Sequence, residues 1–527
     1  MSILLSVCVT IILFCGGVYI TSIPMVSSSS GLWNWIFLSV GIGLHLYDFL
    51  THRKSNRIVK LEIIFWICVA IYAICGFTST KWVNANTFAN RITVTEGNFE
   101  EEIPTVSDLQ KIPLMDSDTA YMIGNRAIGE LTDVVSQFTP ARYSTIIYQE
   151  KIVKVAPLLY NSFWKWNANK TKGVPGYVIV DPETGEAEYI KTETAMKYSP
   201  SAYFSQDTIR HARKKFPNKH FGNICFQLDD TGTPYWTILT QMPQTLFSAM
   251  KPDGLIIMNA VTGDCEWYGI ADIPEWVDLA VTGEEVVELY NDYGTLQHGF
   301  FNSILSQTNC TKATNDYGYF AIGNDICIYT GVTSAASDSS NLGFLIVNSR
   351  TMEYKFYQSP GADEESAMGA AEGTLQNFGY KASFPALINL NDEPVYAMAL
   401  KDDSGLIKAY AFVNERNYTI VGTGETLNEA INHYRAMMAK NGYDMQEFIT
   451  EDNIQTKEVL ISSIQFIPLK NETYTYITVN DTDGIKIFKQ LFAEKHLLLE
   501  EGKMAAVHYE KDSENNLAIE AVIETTN

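Results

Sequence analysis

Apolar and polar positions follow three rhythms along this chain, and each predicts a different kind of element. The first is continuous. Ile3 to Ile23, Gly31 to Leu50 and Leu61 to Thr78 are apolar stretches of about twenty residues, the length needed to cross a bilayer core. Between the second and third lies Thr51-His-Arg53-Lys54-Ser-Asn-Arg57-Ile-Val-Lys60 with four fixed positive charges, which the positive-inside rule assigns to the cytoplasm. The N-terminus is then cytoplasmic, the Ser-rich loop 26–30 lies outside, and so does everything after Thr78. The first stretch also fits the apolar core of a signal peptide. It lacks a positive n-region and two further spans follow, so an uncleaved span is expected. His45 and Asp48 fall in the second stretch, and Asp48 stands close enough to its end to reach the interface.

The second rhythm is strand alternation around a turn, and it recurs. Gly176-Tyr-Val-Ile-Val-Asp181-Pro-Glu-Thr184-Gly185-Glu-Ala-Glu-Tyr189 returns as Gly254-Leu-Ile-Ile-Met-Asn259-Ala-Val-Thr262-Gly263-Asp-Cys-Glu-Trp267. It returns again as Gly343-Phe-Leu-Ile-Val-Asn348-Ser-Arg-Thr351-Met352-Glu-Tyr-Lys-Phe356, and more weakly from Ala409 through Asn414 and Asn417. Each copy reads as a β-hairpin, because a β-branched and aromatic run meets an Asx turn and then a second strand. Upstream of three copies stands another strand-turn-strand: Phe226 to Thr240, Phe320 to Tyr329 and Ile388 to Leu400.

The third rhythm is helical. Asp116 to Leu131, Ser205 to Phe216, Glu284 to Ile304 and Glu364 to Phe378 carry apolar residues partly at three-four spacing. One helix followed by antiparallel strands buries one sheet face under the helix. The hairpin origins at Gly176, Gly254, Gly343 and Ala409 are irregularly spaced and too far apart for a solenoid, so four α+β modules in series are expected. After them, Thr426 and Glu429 form a capping box that starts a helix to about Lys440. Beyond Glu451 the pattern gives strands near 457–466, 473–479 and 485–488, a short helix near 490–495, and strands near 503–509 and 517–523. Three strands, a helix and two strands is the order of an OB-fold.

The helix-plus-hairpins unit with its V-D-x-x-T-G-x-x-x-Y strand resembles the PepSY module of bacterial envelope proteins and peptidase propeptides. The region from about residue 80 to 525 is similar to uncharacterised bacterial membrane-anchored envelope proteins, through Lys197-Tyr-Ser-Pro-Ser201, Pro234-Tyr-Trp236 and Tyr329-Thr-Gly-Val-Thr-Ser334. That resemblance implies regulation or inhibition of peptidases and brings no catalytic residues. Met352 in the third copy, where Gly is usual, and the lost motif in the fourth depart from the pattern. The expected fold class is α+β: three N-terminal transmembrane helices, tandem PepSY-like helix-plus-antiparallel-sheet modules and a small C-terminal OB-like β-barrel. The boundaries are 1–80 for the anchor, 81–113 for an acidic linker containing Glu100 to Glu102, 114–195, 196–280, 281–360 and 361–450 for the modules, and 451–527 for the β-domain.

Charge narrows the partners. A formal net charge of −23 over 527 residues argues against nucleic acid, whose phosphates require clustered Lys and Arg. The densest basic run, Arg210-His211-Ala-Arg213-Lys214-Lys215-Phe-Pro-Asn-Lys219-His220, stands out against that background. Arg210, Arg213, Lys214 and Lys215 are the candidate anion- or partner-binding residues. A solvated helix face closing with cations at its C-terminal end is the plainer alternative. Thr330 to Asn341 reads as a long polar loop. Asp181, Asp229-Asp230 and Asn391-Asp392 offer oxygen ligands without calcium-loop spacing. Trp164, Trp166, Trp236, Trp267 and Trp276 suit either a sugar groove or sheet faces. Cys8, Cys15, Cys68 and Cys75 lie in the apolar stretches, and Cys225, Cys265, Cys310 and Cys327 lack C-x-x-C spacing, so no zinc site is expected and disulfides among these four stay open; no metal or cofactor is expected. The expected protein is a multi-pass plasma-membrane protein with its large region extracytoplasmic. It would act without chemistry on an envelope protein or anionic wall polymer. The alternatives are a hydrolase or transferase assembled around His211, His220 or His298, and a channel, which three nearly apolar spans disfavour.

Overall fold

Local sequence sets most of the elements. The computed structural model describes the chain apart from residues 1, 52–55, 107–111, 113, 130, 183, 315, 391, 444–453, 470–471, 482–483, 511–517 and 526–527. The basic loop's Arg53 and Lys54, and Asn391, lie outside the described residues. Three helices open the chain, at Ser2–Thr21, Ser30–Thr51 and Asn56–Thr78. Among the described residues, Ile3–Thr21 and Ile58–Thr78 are long and apolar enough to cross a membrane by length and composition. The second helix has the length, but Asn34, His45 and Asp48 lower its hydropathy. It packs on both neighbours. A Cβ on Gly17 would lie 2.3 Å from the Trp35 ring, and one on Gly43 would lie 2.0 Å from Thr10 Oγ1, so glycines admit the close approach of the first two helices. Tyr72 of the third helix donates to Asn34 Oδ1 at 2.8 Å.

The chain divides into two units. One holds residues 1–96, 117–338 and 344–356, and the other holds 97–116, 339–343 and 357–527. In the first unit, Phe138–Pro140, Ser144–Tyr148, Lys151–Tyr160, Val174–Val180 and Ala187–Met196 make one antiparallel sheet. His220–Leu228, Pro234–Pro243, Met250–Asn259 and Cys265–Gly269 make a second, in chain order. A third is built on Asp325–Ser334 and on the parts of Ser337–Asn348 and Tyr354–Gly361 that belong to this unit. The helix Gly283–Leu296 covers it through Val286, Leu289 and Tyr290, which pack with Ile328, Val332, Leu345 and Val347. In the second unit, Glu393–Lys401, Ile407–Asn414 and Val421–Gly424 form a sheet covered by the helix Leu427–Lys440. The strands Ile454–Leu469, Glu472–Asp481, Gly484–Leu491, Ile519–Thr525 and Met504–Glu510, in that spatial order, close a barrel.

The recurring hairpin is the same object in its three strong copies. A Cβ on Gly176 would meet the Ile190 carbonyl oxygen at 2.0 Å, on Gly254 the Tyr268 oxygen at 2.3 Å, and on Gly343 the Tyr357 oxygen at 2.1 Å. The opposing carbonyl is fourteen residues downstream each time, so the conserved spacing encodes one close approach between strands. The turns agree as well. Asp181, Asn259 and Asn348 each accept from the amide three residues on, at 3.2, 2.9 and 2.9 Å. The following left-handed position is Gly185, Gly263 and, in the third copy, Met352 with φ of 58°. Asn414 repeats the Asx contact with Asn417, but its own amide reaches Ile420 rather than a residue five on, one residue further than in the other turns.

Two expectations change. Residues 81–106, expected as part of a stalk, are folded. Lys81–Ala89 is a helix, Val94–Gly97 is an edge strand of the third sheet, and Asn98 caps Phe99–Glu102. Within the second unit Ile112 and Leu114 enter the core of the fourth sheet. The polar run misled because Glu100 and Glu102 are held in pairs: Glu100 with Arg416 at 3.5 Å, and Glu102 accepting from Tyr357 at 3.1 Å. Likewise Thr330 to Asn341 is no long loop but two strands joined at Ala335 and Ala336, with Thr330, Val332 and Thr333 buried. An unforeseen hairpin joins Ser144–Tyr148 to Lys151–Tyr160. Its turn residues Gln149 and Glu150 take φ of 52° and 63° without Gly or Asn, so no turn signal announced it.

Candidate functional site at the end of the first helix

The last carbonyls of a helix have no partner within it and carry its negative dipole end. At the end of Ser2–Thr21 the basic run supplies the donors. Asp207 caps the helix Thr208–Lys215 by accepting from the Arg210 amide at 2.8 Å, and the buried Thr208 and Ala212 fix its inner face. Arg210 then donates to the carbonyls of Tyr19 at 3.3 Å and Ile20 at 3.2 Å, with its guanidinium over the Tyr19 ring. Arg213 donates to the Ser22 carbonyl at 2.8 Å, to Phe216 at 3.1 Å and to Lys219, and stacks 3.7 Å from the Phe221 ring centroid. Burial lowers its pKa to about 10. Lys215 donates to the Cys265 carbonyl. Lys214 and Lys215 remain solvent-exposed along their side chains.

The neighbouring residues continue the same junction. Met25 donates its amide to the Pro217 carbonyl at 2.7 Å. Lys219 pairs with Asp253 at 2.7 Å and lies 3.8 Å from the Trp267 ring centroid. The second Asp253 oxygen accepts from Thr240 at 2.6 Å. Ser28 Oγ is 3.0 Å from His220 Nε2, and burial, helped by Arg213 and opposed by Asp253, lowers the His220 pKa. The arrangement fastens a folded module to the end of an apolar helix by charge-assisted bonds.

The other candidates do not converge. His211 Nε2 meets the Gly263 carbonyl at 2.8 Å and the ring packs on Tyr198, whereas His298 is exposed. Trp236 is buried and donates to Tyr198, Trp164 is exposed, and Trp276 packs on Tyr235. One oxygen each of Asp181 and Asp229 accepts within its own turn, and among the described residues no cluster of His, Cys, Asp and Glu has metal-ligating geometry. The eight cysteines are free thiols.

A second constellation, which sequence reasoning missed, joins the three modules of the first unit. Buried Gln227 donates to Thr237 at 2.6 Å and to the Leu279 carbonyl at 2.7 Å, and its oxygen accepts from the amides of Asp278 and Leu279 at 2.9 Å. Asp278 accepts from the Ile147 amide at 2.8 Å, and its carbonyl receives the Ser349 hydroxyl. Burial raises the Asp278 pKa to about 7. The polar positions of Gln227 and Ser349 inside strand-end contexts were the only signal.

Against known proteins, no family model matches the chain, and no curated protein does. A solved structure of a provisionally assigned glycoside hydrolase from Bacteroides ovatus aligns with 69% of this chain and 88% of its own at 10% identity, with a TM-score of 0.18.

Proposed function

We propose that this chain is a multi-pass envelope protein whose first three helices all span the membrane. The folded region lies on the extracytoplasmic side and acts as a non-enzymatic binding or regulatory scaffold for an envelope protein or anionic wall polymer. The observation that carries it is the repeated hairpin, the same close Gly-to-carbonyl approach in three copies, on a chain that also holds apolar helices near its N-terminus. A scaffold of copied modules multiplies surface rather than assembling one reactive centre. PepSY-like identity is supported by the helix over the third sheet and by the shared turns. OB-like identity of the barrel is supported by its strand order and by the parallel pairing of Gly484–Leu491 with Ile519–Thr525. The exposed Lys214 is what the basic run leaves for an anionic partner, beside Lys215, whose ammonium is already held by the Cys265 carbonyl. The second helix belongs to the anchor because it packs between two apolar helices and returns the chain across the same thickness.

Protease digestion of intact cells tests the orientation: the region after Thr78 is degraded, and its protection contradicts the proposal. Affinity capture from solubilised membranes with the outer region as bait then tests partnership, and competition by an anionic wall polymer separates the two partner classes. A second function is favoured by one contact, Ser28 on His220, which is the nucleophile–base spacing of a hydrolase. Asp253, the nearby carboxylate that would orient the ring, has both oxygens engaged by Lys219 and Thr240. A fluorophosphonate probe that adds mass at Ser28 supports hydrolysis, and an unlabelled Ser28 removes it.

A further inference from the structure

Three segments of the first unit meet where the third apolar helix ends. Thr245 Oγ1 donates to the Ser79 carbonyl at 3.4 Å, the Tyr72 and Phe247 rings are 5.4 Å apart, and the Trp82 and Phe300 rings are 5.3 Å apart. Beneath them Ala85, Phe88, Ala89, Ala249 and Leu296 form one buried cluster. Arg91, 5% exposed, pairs with Asp292 and donates to the Met250 carbonyl at 3.0 Å. The junction is therefore packed and fastened. Yet its outer side is apolar and bare: Trp82, Val83, Leu246, Phe301, Ile304 and Leu305 are 60, 54, 51, 68, 58 and 79% exposed.

Charge sets this face apart. The chain has 61 Asp and Glu among 527 residues, but residues 76–90, 242–250 and 299–311 contain none, and Lys81 is their one cation. Lys81 is itself paired with Asp292. A water-facing surface of so acidic a protein would carry carboxylates. A surface meeting anionic headgroups and acyl chains would exclude them.

We propose that these three segments form a collar that inserts into the headgroup–acyl boundary of the leaflet from which the third helix emerges, so that the folded region lies on the bilayer instead of standing off it. The occupant is lipid because the collar is continuous with the exposed apolar surface of Ile58–Thr78, through Phe77 packed 6.3 Å from Trp82. Trp82 is of the kind that collects at membrane interfaces, and Phe and Leu are the usual companions of Trp on the buried face of an interfacial segment. This rests on the membrane anchorage proposed above.

The full chain in nanodiscs of mixed neutral and anionic phospholipid is irradiated with either of two photoactivatable lipids, one bearing its diazirine near the headgroup and one near the acyl terminus. Adducts are then mapped by mass spectrometry. The shallow probe is expected to label peptides holding Leu246 and Phe301 to Leu305 several-fold more than the peptide around Glu284, at the other end of Gly283–Leu296. The deep probe is expected to label around Ile67. Labelling at Ile67 without the collar overturns the collar and leaves the anchorage standing, whereas labelling at neither overturns both. Collar peptides joined chain to chain by a bifunctional cross-linker added to the same nanodiscs would assign the face to a second copy and also overturn the proposal.

Discussion

Replacing Asp278 by Asn should change how stability depends on pH. The Asp278 side chain is held 3% exposed between modules, accepting one amide from Ile147. The carboxylates of Asp325 and Asp230 raise its pKa further, while Arg350, which would oppose them, is engaged by Asp325 at 2.7 and 3.0 Å. A folded-state pKa of about 7 against an ordinary value of ~3.9 corresponds to ~4 kcal/mol. The sign follows from proton uptake. The folded state keeps a proton that the unfolded chain gives up, so this contribution is complete below about pH 4, erodes as pH rises and is gone above about pH 7. Asp278→Asn cannot ionise, and its amide oxygen can still accept from Ile147. Its new N–H groups cost ~1–3 kcal/mol if unmet. The variant should therefore be the more stable protein by ~1–3 kcal/mol at about pH 8 and the equal or weaker one near pH 4. Urea unfolding of the detergent-solubilised full chain across that range, with hydrogen exchange at the Ile147 amide as the local readout, measures both. Parallel stability curves for the two proteins between pH 4 and 8 would refute the reasoning.

Other outcomes follow from the same structure. His496, buried and accepting at Nδ1 from the Ala493 amide at 3.2 Å and meeting the Thr475 hydroxyl at 2.8 Å, has its pKa lowered to about 4 by burial. The barrel should then lose up to ~3 kcal/mol as pH falls from ~6.5 to ~4, the opposite trend to Asp278, seen as lost amide protection in its strands and flattened in His496→Gln. Arg213→Leu strips three carbonyls of a charged donor and should cost ~2–3 kcal/mol, read as new protease cutting between Ser22 and Ser29. Arg213→Lys should not restore protection, because an ammonium cannot reproduce the planar fork. Gly254→Ala places a methyl group against the Tyr268 carbonyl and should cost ~1–3 kcal/mol by urea unfolding. Ala409→Gly, at the matching place in the fourth copy, should cost under ~1 kcal/mol.

Much of the architecture was legible because its causes are local. An Asx residue, a left-handed position and a β-branched run specify a hairpin over about a dozen residues, and Gly176, Gly254 and Gly343 occupy the same place because one carbonyl fourteen residues on leaves no room for a Cβ. Where a local signal was missing, as at Gln149 and Glu150, the hairpin went unseen. Where polarity was mistaken for solvent, as at Glu100 to Glu102, a folded segment was expected to be a linker. The basic run shows the same division: a helix closing in cations was readable, but not that Arg210 and Arg213 reach carbonyls some 190 residues earlier in the chain.

By itself the sequence determined three helices near the N-terminus, two of them long and apolar enough to cross a membrane, the repeated sheet corners and the five strands of the last domain, since periodicity and turn chemistry act between residues a few positions apart. Only the tertiary structure decided that Ile112 and Leu114 complete a core, that two arginines cap the first helix, that Asp278 sits at a three-module junction and that three carboxylate-free segments pack together at the end of the third helix. Burial free energy depends on area and hardly on identity. A residue's partner across the fold is therefore not written in its neighbours, and becomes visible only when the chain has closed on itself.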